Sequence, residues 1–150
     1  MPDRDILDLE HFLPYRLSVL SNRISQDIAR LYADRFGLGI TEWRVLAVLG
    51  RRDDLSAREV AERTAMDKVA VSRAVASLQA AGRIERQTRR DDRRHSMLRL
   101  SPAGRAIYDD VAPMALAYQR RLLEGLDTDE RATLDRLLTR VEEREAATRD

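Results

Sequence analysis

The chain has 150 residues, 43% of them hydrophobic and 35% charged, with a net charge of +1, which is enough to bury the core of one domain. It carries no cysteine and only two histidines, His11 and His95, so disulfides, thiolate metal sites and cysteine redox switches are excluded and no zinc-ligand spacing is present. No apolar run approaches the roughly 20 residues that span a bilayer, and the start MPDRDILDLE lacks the basic and apolar stretches of a secretory leader. A cytoplasmic protein without metal or cofactor is the expectation.

Proline is tolerated in a first helical turn, and Pro14 opens a stripe of Leu17, Leu20, Ile24, Ile28 and Leu31 at helical steps. One long helix ended by Gly37 and Gly39 is predicted. A chain this short has little of its own to cover such a stripe, so a partner subunit is its natural cover. Thr41 is the expected cap of a shorter core helix holding Trp43, Val45, Leu46, Val48 and Leu49, stopped by Gly50 and the polar RRDD.

Ser56 and Glu59 have the spacing of a capping box, in which each side chain satisfies the other's backbone N–H, and they open a helix to about Thr64. After a short turn, Asp67 can cap a helix from Lys68 to about Ala81, with Gly82 as its stop. At 100° per residue, Val71, Ala74, Val75 and Leu78 share one face of this helix. Val69, Arg73 and Ala76 lie opposite, flanked by Ala70, Ser72 and Ser77. Ile84 to Thr88 and Ser96 to Leu100 are candidate strands around TRRDDRR, although the first alternates poorly.

Ser101 and Pro102 can start a long helix with Ile107, Val111, Met114, Tyr118 and Leu122 on one stripe and a kink at Pro113. Asp127 with Glu130 opens a last helix, with Leu134, Leu137, Leu138 and Val141 expected to face inward. The order is mainly α with one small β-hairpin. Two capped helices about a tight turn followed by a hairpin read as a winged helix-turn-helix.

Charge is distributed to match. Residues 51–100 hold 13 Arg/Lys and 8 Asp/Glu, a balance of +5, while the other 100 residues hold 14 and 18, a balance of −4. A B-DNA major groove admits one helix, and Lys68, Val69, Ala70, Ser72 and Arg73 occupy the half of the second helix that reaches base edges, with Ser77 further along the same face. Arginine can bond guanine bidentately, serine a phosphate or base edge, and Val69 or Ala70 a thymine methyl. Arg89, Arg90, Arg93 and Arg94 would suit the negative potential of a narrow minor groove, with Asp91 or Asp92 clamping one of them in a fixed pose. The inventory for catalysis is thin: neither histidine has a nucleophile–base pattern and no phosphate-cradling glycine loop is present, so an enzyme is not expected.

From Leu55 to Gly104, the DKVAVSR helix start and DDRRHSMLRLSPAG resemble the multiple-antibiotic-resistance regulator (MarR) family of bacterial repressors. Its wing pattern is matched by Asp92, Arg94, Leu100, Ser101 and Gly104, and Pro102 stands where the family is more often polar. The resemblance implies one MarR-type chain over 1–150, with a winged helix-turn-helix DNA-binding lobe at 41–104 and dimerisation helices at 10–36 and 102–149 that interleave in a homodimer. It further implies an inverted-repeat operator read by Ser72 and Arg73, with Arg94 oriented by Asp92 at the minor groove. A small aromatic carboxylate would relieve repression from a crevice for which His11, Tyr15, Arg16, Trp43 and Tyr108 are the candidates. Two other readings remain open here: a winged-helix adaptor for protein partners, and an architectural binder indifferent to DNA sequence. Salt dependence separates the first from a DNA reader, and Arg73→Ala separates the second.

Overall fold

The computed structural model describes residues 5–88 and 96–149; Arg89, Arg90, Asp91, Asp92, Arg93 and Arg94 lie outside the described residues. The chain divides into two units, Met1–Met114 and Ala115–Asp150.

In the first unit, helix α1 (Leu13–Ala29) takes Pro14 into its first turn, where a missing N–H costs nothing. It ends well before Gly37. The chain leaves the helix through its C-cap Arg30, turns at Tyr32 (φ −130°) into a short α2 (Ala33–Phe36), and closes at Gly37 in the left-handed conformation (φ +63°). The expected single helix from Pro14 to the glycines is therefore wrong. Tyr32 is only 1% exposed and its ring lies 5.5 Å from that of Trp43, a contact made across the fold rather than along the helix. Burying the ring outweighs continuing a helix whose Leu17 and Leu20 find no cover in this chain.

Helix α3 (Ile40–Arg51) begins two residues earlier than a Thr41 cap predicts. Its N-cap is Gly39, whose N–H donates to Glu42 Oε1 at 3.1 Å, so Glu42 rather than Thr41 satisfies the helix start. Helix α4 (Ala57–Thr64) is capped by Ser56 Oγ, which accepts from Glu59 N at 3.1 Å. The expected return bond differs, because the Glu59 carboxylate accepts from the Ser56 hydroxyl at 3.2 Å. Helix α5 (Lys68–Ala80) is capped by Asp67 and left through Gly82 at φ +72°.

Helices α3, α4 and α5 pack on one another and against a two-stranded antiparallel sheet. Strands β1 (Ile84–Thr88) and β2 (Ser96–Leu100) pair with Ile84 opposite Leu100 and Thr88 opposite Ser96. The core joins Leu46 and Leu49 of α3, Val60 of α4, Val71, Val75 and Leu78 of α5, and Ile84 and Leu98 of the strands. Each such side chain contributes about 1.5–3 kcal/mol over leaving it in water. Only Ile84 of β1 is buried, which explains its missing alternation.

Helix α6 (Pro102–Leu122) runs through Pro113 without ending. Its start is a lock: Ser101 Oγ accepts from Gly104 N at 3.1 Å and donates to Gly82 O at 2.6 Å, while Ser101 N donates to Arg83 O at 3.1 Å. Gly104 sits so close to the Arg83 carbonyl that a Cβ there would overlap it. The Leu-Ser-x-x-Gly pattern thus joins the wing to the next helix.

The second unit holds the end of α6 and helix α7 (Thr128–Ala147), whose capping box between Asp127 and Glu130 is complete in both directions. Arg131 donates to the carbonyls of Leu126 (3.0 Å) and Leu123 (2.8 Å), closing the end of α6. Leu134, Leu137, Leu138 and Val141 do not face inward as expected but remain 39–45% exposed. Their stripe is formed as predicted; a unit this small has too little of its own surface to cover it.

Candidate nucleic-acid interface

The helix pair α4–α5 is built by local bonds. Ala65 ends α4 at φ +50° and Asp67 starts α5 two residues later, its carboxylate accepting from Ala70 N at 3.2 Å. Across that short link α4 and α5 pack on each other, while Val71, Ala74, Val75 and Leu78 bury one face of α5. The opposite face is forced outward. Lys68, Val69, Ser72, Arg73, Ala76 and Ser77 are exposed and Ala70 half-buried, as the periodicity predicts. Val69 is 57% exposed, a large apolar side chain held in solvent at the helix start. No carboxylate belongs to α5 itself, so its surface charge is that of Lys68 and Arg73.

Beside this face, Ile40, Thr41, Glu42, Ala70, Arg73 and Ser77 line an open groove of about 380 Å³. Glu42 is the residue that sequence reasoning missed here. One carboxylate oxygen caps α3 and the other accepts from Ser77 Oγ at 3.0 Å, so it ties the start of α3 to the middle of α5. The Ser77 hydroxyl, a candidate for DNA contact, is engaged by that bond. Only the Gly39–Glu42 spacing was local enough to signal it.

At the base of the wing, Leu55 bridges to Leu98, and Asp54 N donates to Leu98 O at 3.0 Å. Asp54 holds φ +61°, uncommon for a residue with a side chain. Its carboxylate accepts from Arg99 Nε (3.1 Å) and Nη2 (2.7 Å), and that hydrogen bond, before the simple attraction of charge, raises the already high Arg99 pKa. Further along the hairpin, Arg86 Nη1 donates to Ser96 Oγ at 2.8 Å. In the sequence Asp54 reads only as part of a polar stop, because its partner lies 45 residues away.

The five ligand candidates fall into separate groups. Trp43 and Tyr108 are brought together as stacked rings, centroids 6.2 Å apart and planes inclined 23°, with Tyr32 completing the aromatic cluster. Burial pushes the Tyr32 phenol above its ordinary pKa, partly offset by the positive charge of Arg44. Arg105 lies over the Tyr108 ring at 5.5 Å and donates to Gly50 O at 3.0 Å. Tyr15 and Arg16 instead line an open groove along α1 with Leu13, Leu17, Leu20 and Arg23. His11 is exposed, its Nδ1 2.7 Å from Asp8 Oδ2. Among the described residues no cluster of metal-ligating side chains occurs and no helix is long and apolar enough to cross a membrane.

Comparison with known proteins bears on the same segment. The family model described as the MarR family matches residues 36–95. A MarR/EmrR family transcriptional regulator from Acinetobacter sp. ADP1 superposes with a TM-score of 0.86 at 26% identity, over 94% of this chain and 99% of that one. The FabT structure from Streptococcus pneumoniae, solved in complex with DNA, superposes with a TM-score of 0.76 at 23% identity, over 94% and 99% of the two chains. The uncharacterized HTH-type transcriptional regulator YdgJ of Bacillus subtilis is 23% identical over 105 residues, 70% of this chain. The match spans 64% of the length of that curated relative.

Proposed function

The chain belongs to the MarR family of transcriptional regulators, and from that premise we propose that it binds duplex DNA as a homodimer, selects an inverted-repeat site and acts as a repressor. The observation that carries the reading is α5: one buried face fixes the helix, and the acid-free opposite face presents Lys68, Val69, Ser72 and Arg73 to solvent. Such a face at a helix's N-terminal half suits a major groove, with Lys68 on phosphate and Arg73 on a guanine. Arg89, Arg90, Arg93 and Arg94, with Asp92, in the sequence between β1 and β2, would add minor-groove contacts. The hairpin's base is stiffened by the Asp54–Arg99 pair.

Two exposed apolar stripes support the dimer. Leu13, Leu17 and Leu20 of α1, and Leu134, Leu137, Leu138 and Val141 of α7, are all 39% exposed or more. Stripes of this kind mark a surface that another chain covers. A two-fold dimer requires a two-fold site, with half-sites about one helical turn apart. The Trp43–Tyr108 stack favours a flat aromatic effector, which would lift repression only by the amount it prefers a form unable to bind DNA.

Selection of bound fragments from genomic DNA, followed by anisotropy titration of the enriched duplexes, tests the reading. Affinity should fall by orders of magnitude between about 50 and 200 mM salt. Arg73→Ala should lose about 1–3 kcal/mol at particular base pairs. No enrichment of a palindrome, or an equal loss on every sequence, refutes sequence-specific recognition.

A further inference from the structure

Three arginines converge on a cavity of about 450 Å³ at the C-terminal ends of two helices: Arg51, Arg52 and Arg63, over a floor of Ala47 and Val48. Arg51 is the last residue of α3, Arg52 its C-cap, and Arg63 lies in the last turn of α4. Basic side chains are ordinary at such ends, each of which carries about half a negative charge. Here two ends offset about one of three positive charges, which leaves a surplus of about two.

The carboxylates that could remove that surplus are committed elsewhere. Between residues 51 and 64 there are four, Asp53, Asp54, Glu59 and Glu62. Asp53 faces Arg105 at 3.7 Å, Asp54 holds Arg99, Glu62 accepts from Arg58 at 3.1 Å, and Glu59 accepts from the Ser56 hydroxyl. Among the described residues no acidic side chain lines the cavity. Arg51, Arg52 and Arg63 accordingly have no ion pair or side-chain hydrogen bond among the described residues.

Guanidinium groups offer planar pairs of donors matched to the oxygens of a phosphate, and are weakly hydrated enough to exchange water for one. The volume exceeds what one phosphate needs and falls in the range of small-ligand sites. The apolar floor would seat a non-ionic portion of the ligand. We propose that the Arg51–Arg52–Arg63 cavity binds a small phosphate-bearing molecule. The site is distinct from the groove beside α5, because Arg51 lies ten residues along α3 from Thr41, a rise of about 15 Å. It stands whether or not the chain reads DNA.

Isothermal titration of the full chain with pyrophosphate at about 50 mM chloride tests the proposal. The Arg51→Gln/Arg63→Gln variant should bind at least about tenfold more weakly, while Arg140→Gln/Arg144→Gln, which removes the same charge from α7, should stay within about twofold of the parent. All four arginines are exposed, so both variants should retain the parental circular dichroism spectrum and melting curve. No measurable binding by the parent, or an equal loss in both variants, overturns the site. A second arm identifies the source of the phosphate: duplex DNA affinity of Arg51→Gln/Arg63→Gln should stay within about threefold of the parent. A tenfold or larger loss on DNA with no pyrophosphate binding would make these arginines backbone contacts and overturn the small-molecule proposal.

Discussion

Replacing Gly104 by alanine adds one methyl at the junction of wing and helix, and the structure states what it meets. The new Cβ would overlap the Arg83 carbonyl oxygen and touch Leu100 Cδ2 at 3.4 Å. A flexible side chain could swing aside, but this carbonyl is backbone and already accepts from Ser101 N at 3.1 Å. Relief requires the start of α6 to slide away from the turn that leads into β1. Forcing a methyl into packed surroundings costs about 1–3 kcal/mol, and a weakened Ser101–Arg83 hydrogen bond adds about 1 kcal/mol. Alanine's advantage over glycine within a helix returns at most about 1 kcal/mol. The net expectation is a loss of about 1–3 kcal/mol, read as a shifted midpoint in urea denaturation followed by circular dichroism at fixed protein concentration. Ser101→Ala should cost a similar amount, about 2–3 kcal/mol, because it removes the α6 cap and leaves Gly82 O without its donor. The two changes break one junction, so the double variant should lose less than the sum. A Gly104→Ala protein within about 0.5 kcal/mol of the parent, or strict additivity of the pair, would refute the reasoning.

Ala65 occupies the left-handed region at φ +50°, so Ala65→Gly should stabilise the fold by about 0.5–1 kcal/mol after the extra entropy of an unfolded glycine is subtracted; a destabilised variant in the same urea assay contradicts this. A Cβ at Gly50 would overlap the Tyr108 ring, so Gly50→Ala should push Tyr108 off Trp43, the chain's one tryptophan, and change its fluorescence in the folded state; an unchanged spectrum means the ring stack is elsewhere in solution. Tyr32 is protonated in the fold beyond its ordinary range, so its neutral form contributes stability below about pH 10 that is lost as pH rises through the higher folded value. Absorbance titration near the tyrosinate band should show a late phase that Tyr32→Phe removes, and identical titration and alkaline unfolding in the two proteins would refute it.

Features decided within three or four residues were legible in the sequence. Ser56, Asp67, Ser101 and Asp127 cap the helices they were expected to cap, because an N-cap bond spans three residues and needs no other part of the fold. The outward face of α5, both strands and the stop at Gly82 follow from periodicity and a single backbone angle. Longer-range geometry overruled the local pattern elsewhere. The apolar period continued past Ala29, but the chain turned to bury Tyr32 against Trp43. Thr41 had the chemistry of a cap, yet Glu42 took that place while also holding Ser77.

Outside the stretch from Arg30 to Thr41, the sequence by itself determined which stretches become helix or strand and which face of each is apolar, since those depend on neighbours along the chain. Tertiary structure alone decided that Asp54 grips Arg99, that Gly104 must have no side chain, and that Arg51, Arg52 and Arg63 share one cavity while nearby acids turn to other partners. These outcomes depend on distances between segments tens of residues apart, and such distances exist only after buried Leu, Val and Ile side chains have drawn the elements into contact.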